Sequence, residues 1–138
     1  MNRLYIDANS IIYLVETGNP FYESVLGRVR AHRATPESWI VTSRLSRLEC
    51  RIRPLRENNA TVLADYEEFF AADDVIVHDV TSDVIERATD LRVRYGFKTP
   101  DAIHLATAIE EHADMFLTGD VSLEKCRELK VEVVAGGS

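Results

Sequence analysis

Only two cysteines, Cys50 and Cys126, occur in the 138 residues. They are too few for a disulfide framework and lack the spacing of a metal finger. No apolar run approaches the roughly 18 residues that a bilayer crossing needs. The start of the chain is Asn2, Arg3, a short Leu4-Tyr5-Ile6 and then Asp7, with no apolar stretch to serve as a signal peptide. A cytoplasmic setting without membrane attachment is therefore expected. Repeats, low-complexity tracts and linkers are also missing. What remains is a chain 46% hydrophobic and 28% charged, the composition of a globular domain. Its length suits one domain spanning 1–138, with Gly136-Gly137-Ser138 expected as a frayed tail.

Positive charge is scarce overall, since 16 basic against 23 acidic side chains give a net charge of −7. Bulk attraction to nucleic acid is excluded on that count. The distribution is uneven, however. Residues 28–56 hold eight arginines against only Glu37 and Glu49. Such asymmetry can mark an anionic partner, and arginine-rich faces of solvated helices explain it equally well.

Short apolar strands alternate with amphipathic helices. Leu4-Tyr5-Ile6, Trp39-Ile40-Val41, Val75-Ile76-Val77, Met115-Phe116-Leu117 and Val131 to Val134 read as strands. Helices are expected where Ile11, Ile12 and Val15, then Phe21, Val25 and Val29, recur at helical spacing. Thr42 or Ser43 caps the next helix, whose apolar stripe is Leu45, Leu48 and Ile52 and which Pro54 ends or kinks. Leu63, Tyr66 and Phe70 mark a fourth helix, and Val84, Ala88, Leu91 and Tyr95 a fifth that stops at Gly96. Thr99-Pro100 serves as cap and first residue of a helix running over 101–112, and Val121 to Leu129 forms a last short one. Strands separated by helices pair in parallel, so the fold class is α/β, a central parallel β-sheet flanked by α-helices.

Four acids depart from this pattern. Asp7 ends the first strand and Asp120 lies just past the 115–118 strand, both on the edge where parallel sheets bind ligands. Asp101 sits in the first turn of a helix, where the dipole alone accounts for it. Glu49 borders the apolar stripe of its helix, where a carboxylate aimed inward needs a partner that no nearby lysine or arginine supplies, and where a surface glutamate reaching out to water is an equally good reading. If the four met, two carboxylates about 5 Å apart would repel by roughly 3 kcal/mol at an effective dielectric near 20. A hard divalent cation with oxygen ligands removes that conflict and leaves positions for a phosphate oxygen and a water.

Tyr5-Ile6-Asp7-Ala8-Asn9, Ser46-Arg47-Leu48-Glu49, Thr99-Pro100-Asp101-Ala102-Ile103-His104-Leu105-Ala106-Thr107-Ala108 and Phe116-Leu117-Thr118-Gly119-Asp120 stand in order along the chain. In that order and spacing the chain resembles the PIN-domain nucleases, most of all the VapC-like toxins of type II toxin–antitoxin modules, from residue 4 to about 134. The resemblance implies a PIN-like fold and a metal-dependent endoribonuclease. It also implies Asp7, Glu49, Asp101 and Asp120 as catalytic ligands of Mg²⁺ or Mn²⁺, directly or through water. Thr118 corresponds to the hydroxyl residue beside that metal, and Asn9 to a residue holding a water or Asp7 itself. A cognate antitoxin and a homodimer are implied as partners, with RNA as the substrate. The last motif departs from the pattern: Gly119 stands where Asn or Arg is usual, Ser122 where a further acid is frequent and Leu123 where an aromatic is. Asp120 is thus the single acid there, which points to one tight metal and a weaker second.

His104, three residues after Asp101, reads as a satisfied histidine packed beside the site, and Cys50 as a small buried residue rather than a nucleophile. Arg44, Arg47 and Arg51 recur at helical spacing beside Glu49 and suit RNA phosphates, as they equally suit a solvated face. Hydrolysis by a metal-activated water would leave 5′-phosphate and 3′-hydroxyl ends. The alternatives are a catalytically silent PIN-like module that binds partners, and a phosphatase-type α/β enzyme. The latter fits poorly, since Asn9 stands where a second nucleophile-motif Asp is needed and Lys98 and Lys125 are badly placed for a receiver domain.

Overall fold

The computed structural model describes residues 1–136, so Gly137 and Ser138 of the expected frayed tail lie outside the described residues. Five strands and six α-helices alternate among the described residues. In chain order they are β1 (Asn2–Ile6), α1 (Ala8–Val15), α2 (Tyr22–Arg33), β2 (Ser38–Ser43), α3 (Arg44–Arg56) and α4 (Ala60–Ala71). There follow β3 (Val75–His78), α5 (Ser82–Tyr95), α6 (Thr99–Glu110), β4 (Met115–Thr118), a 3-10 helix (Val121–Lys125) and β5 (Val131–Val133). The sheet order is β3-β2-β1-β4-β5 with every neighbouring pair parallel. Helices between successive strands make that arrangement possible, because a parallel return needs a crossover.

Alternation along the strands builds two cores. Leu4, Ile6, Ile40 and Leu117 pack against Ile11, Val25, Val29, Cys50, Tyr66 and Phe70 of α1 to α4. Tyr5, Val41 and Phe116 point the other way, onto Val84, Leu91, Ala102 and Leu105 of α5 and α6. β2 and β3 lie to one side of β1, and β4 and β5 to the other. The order of the chain across the sheet therefore switches between β1 and β4, which opens a crevice at their carboxyl ends.

Most element ends follow local chemistry. Asp7, Ser43, Asn59 and Thr81 each accept a backbone N–H at the start of a helix. Gly96, at φ 75°, closes α5 in the left-handed conformation. Other expectations are corrected. Thr99 is the first helical residue of α6, preceded by Lys98 without a side-chain cap, and the helix ends at Glu110. The last helix is a 3-10 segment that stops at Lys125 rather than Leu129. Pro54 lies inside α3, which continues to Arg56.

The largest correction concerns which face of α3 is buried. Leu48, Ile52 and Leu55 are 54%, 44% and 54% exposed, whereas Ser46, Cys50 and Pro54 are buried. Small residues let α3 approach the sheet edge and α1 closely. The Ser46 and Thr42 hydroxyls are 2.7 Å apart, Thr42 donates to the Ile6 carbonyl at 2.8 Å, and the Cys50 thiol lies 3.7 Å from the Ala8 carbonyl. Rotating the helix to bury its leucines would forfeit these contacts and turn Glu49 away from the crevice.

Candidate active site

Asp7 follows β1 and caps α1, and one residue performs both tasks because the strand runs directly into the helix. Its Oδ1 accepts the Ser10 N–H at 3.0 Å, and its Oδ2 accepts the Thr118 hydroxyl at 2.7 Å. Thr118 ends β4, so that second bond joins the two strands across the switch crevice. The Thr118 Oγ1 in turn accepts the Asp120 N–H at 3.1 Å. Asp120 caps the 3-10 helix, its Oδ1 accepting the Ser122 N–H at 2.9 Å and the Ser122 hydroxyl at 2.7 Å. Asp7 is 6% exposed, whereas Asp120 opens to solvent.

Asp101, in the first turn of α6, reports on the field of the group. Burial raises its carboxyl pKa, and the charges of Asp120, Asp7 and Glu49 raise it further, with His104 opposing them. Asp101 thus lies within electrostatic reach of the other three acids. Glu49 arrives from α3 on the opposite layer. The partner its inward position required is His104, whose Nε2 lies 2.7 Å from Glu49 Oε1. The other ring nitrogen, Nδ1, lies 2.7 Å from the buried Tyr5 hydroxyl. His104 is thus buried and satisfied as expected, but by Glu49 and by Tyr5, at sequence separations of 55 and 99. Such partners leave no local signal in one sequence.

Tyr13 is a second residue that the sequence did not reveal. Its ring stacks on Phe21 at 4.4 Å, and its pKa is raised by burial and then by Asp7 and Asp120. A Cβ added at Gly119 would come within 2.9 Å of the Tyr13 ring. The glycine in the last acidic motif is therefore the space that this aromatic occupies at the rim.

The remaining candidates lie outside this hydrogen-bonded set. Asn9 is exposed in the first turn of α1 and its side chain makes no hydrogen bond among the described residues, so contact with Asp7 falls to Ser10 and Thr118. Arg44 pairs with Asp79 at 2.8 Å, Arg47 with Glu67 at 3.1 Å, and Arg51 donates to the Arg47 carbonyl at 2.9 Å. Arg47 also lies over the Phe70 ring at 5.2 Å. Cys50 is buried, and burial followed by the charge of Glu49 pushes its thiol pKa far up, which suits an inert core residue.

No three His, Cys, Asp or Glu side chains among the described residues converge closely enough to enclose an ion. The donor set nonetheless fits a hard divalent cation. It is all carboxylate oxygen, it is strained by its own repulsion at Asp101, and an open arrangement matches an ion that keeps several waters.

The model of the PIN domain family matches residues 4–129. No curated protein matches the sequence. Among solved structures, the chain is similar to VapBC2 from Rickettsia felis, crystallised on a DNA fragment from its promoter. That match has a TM-score of 0.80 at 13% identity and covers 96% of this chain and 99% of that one. VapC20 of Mycobacterium tuberculosis, a sarcin–ricin-loop-cleaving toxin, superposes with a TM-score of 0.70 at 20% identity, covering 92% and 98%. A toxin–antitoxin complex from Klebsiella pneumoniae gives 0.69 at 21%, covering 94% and 96%. At these identities the likeness is one of fold.

Proposed function

The chain belongs to the PIN-domain family, and from that premise we propose that it is a metal-dependent endoribonuclease, the toxin of a type II toxin–antitoxin pair. The observation that carries this reading is the acid cluster at the β1/β4 crevice. Asp7 and Asp120 are linked through Thr118, and Asp101 is held in the field of Asp7, Asp120 and Glu49. A cluster of four acids without lysine or arginine among them is costly in a metal-free protein, and a cation offsets that cost.

Asp7, Glu49, Asp101 and Asp120 would hold Mg²⁺ or Mn²⁺, partly through water. When bound, the ion supplies positive charge at the scissile phosphate and makes a water acidic enough to serve as nucleophile. The chain's own residues do the rest. Ser10 and Thr118 fix the two oxygens of Asp7, and the remaining lone pairs stay available to a ligand. Asp120 is oriented by Ser122 through one oxygen, and its second oxygen carries no hydrogen bond among the described residues. A carboxylate of the cluster aligns the attacking water. Asn9, exposed beside Asp7, meets water or substrate rather than protein.

The substrate is RNA in single-stranded or looped form, whose backbone can enter a shallow crevice. Arg44, Arg47 and Arg51 are the flanking phosphate contacts. Exposed ion pairs such as Arg44–Asp79 are worth under about 1 kcal/mol, so exchanging a carboxylate for a phosphate is inexpensive. A cognate antitoxin silences the enzyme, and two copies form a homodimer. Support for the antitoxin comes from the likeness to structures of toxin–antitoxin complexes.

Purified chain freed of any partner is expected to cut an RNA pool with Mn²⁺ or Mg²⁺, and to lose that activity in EDTA and in Asp7→Asn. Purified chain that binds no Mn²⁺ or Mg²⁺ and cuts no RNA refutes the assignment.

A further inference from the structure

We propose that His104, backed by Tyr5, is the positioning residue for Glu49, an assignment that rests on the metal-dependent reading above. Three layers meet in this relay: Tyr5 on β1, His104 on α6 and Glu49 on α3. Both bonds are short, at 2.7 Å from the Tyr5 hydroxyl to His104 Nδ1 and 2.7 Å from His104 Nε2 to Glu49 Oε1. Tyr5 is 0% and His104 3% exposed. Tyr5 also stacks on Phe116 at 5.0 Å with ring planes 7° apart, so packing fixes the hydroxyl at the head of the relay.

Each ring nitrogen of His104 thus has one partner, the Tyr5 hydroxyl on Nδ1 and Glu49 on Nε2. A carboxylate oxygen accepts, so the Nε2 N–H donates to Glu49. One oxygen of Glu49 is thereby committed. The other, Oε2, has no hydrogen bond among the described residues and stays free for a cation.

A histidine suits this task, since a rigid ring that is itself buried aims its N–H at one carboxylate oxygen where a long flexible arm would not. The long arm of Glu49, free to rotate about several bonds, needs such an anchor more than Asp7 does, since Asp7 is already held by Ser10 and Thr118.

The test uses the full chain and Mn²⁺ alone, titrated by calorimetry, with melting curves alongside. His104→Leu is expected to weaken Mn²⁺ binding by about 10- to 100-fold. His104→Gln, whose amide nitrogen reaches the Nε2 position, restores most of the affinity, a rescue that a purely structural role would not give. Tyr5→Phe, which removes the partner of Nδ1, is expected to weaken Mn²⁺ binding by a smaller factor. A folded His104→Leu that binds Mn²⁺ like the wild type overturns the relay and leaves the metal-dependent reading standing. If His104→Leu does not fold, a folded Tyr5→Phe with unchanged Mn²⁺ affinity overturns it instead. A wild type that binds no Mn²⁺ overturns both.

Discussion

His78, at the end of β3, shows how one side chain couples this fold to pH. Its Nδ1 lies 3.3 Å from Glu111, while its Nε2 is buried without a partner. Burial lowers its pKa, Glu111 and Asp79 oppose that shift, and Arg3 adds to it. A folded pKa below the unfolded value means that the unfolded chain binds its proton first. This part of the stability is therefore complete above about pH 6.5 and is lost as the pH falls through the folded value. In His78→Phe, urea titrations between pH 7 and 5 are expected to show a shallower loss of stability. The slope removed is at most about 1.4 kcal/mol per pH unit, that of one proton. An unchanged slope would assign the acid sensitivity elsewhere. At this scale the sequence exposed Asp7 and Asp120, because each follows a strand that can be recognised by itself. It could not expose the pairing of Glu49 with His104, because only the closed fold brings α3 and α6 together.

Among the elements, α3 departs furthest from its sequence pattern. Leu45, Leu48 and Ile52 recur at helical spacing and look like a buried stripe, yet Leu48 and Ile52 are exposed and the buried positions are Ser46, Cys50 and Pro54. Periodicity registers hydrophobicity, whereas this helix is oriented by the need to bring small residues against Thr42 and Ala8. The rest of the α/β pattern was readable, since all five strands and the faces of α4 and α5 follow from runs such as Val75-Ile76-Val77 and from Tyr66, Phe70 and Leu91. Helix ends were less so: Thr99 against Lys98 is decided by backbone geometry, not by residue type. The contrast can be measured. Leu48→Ala is expected to change the unfolding free energy by less than about 0.5 kcal/mol, and Leu91→Ala, fully buried between α5 and the sheet, to cost about 2–5 kcal/mol. Equal losses in denaturant titrations would place the Leu48 face in a buried interface.

Taken as a whole molecule, the chain resolves its own charge asymmetry. Of the eight arginines in residues 28–56, Arg28, Arg33, Arg44, Arg47, Arg51 and Arg53 form ion pairs with Glu132, Asp74, Asp79, Glu67 and Glu57. The basic segment is therefore spent largely on acids elsewhere in the fold. The sheet order puts Asp7 and Asp120 at its switch point, with Asp101 in their field and in that of Glu49, and among the described residues none of the four acids forms an ion pair with an arginine. No helix among the described residues is long and apolar enough to cross a membrane. Hydrolysis at that crevice by an activated water, as proposed, leaves its signature in the chemistry of the product ends. RNA cut in Mn²⁺ by the wild type, beside Asp101→Asn, is expected to carry 5′-phosphate and 3′-hydroxyl ends that the variant does not produce. Fragments ending in a 2′,3′-cyclic phosphate would mean that the ribose hydroxyl attacks, and would contradict the account.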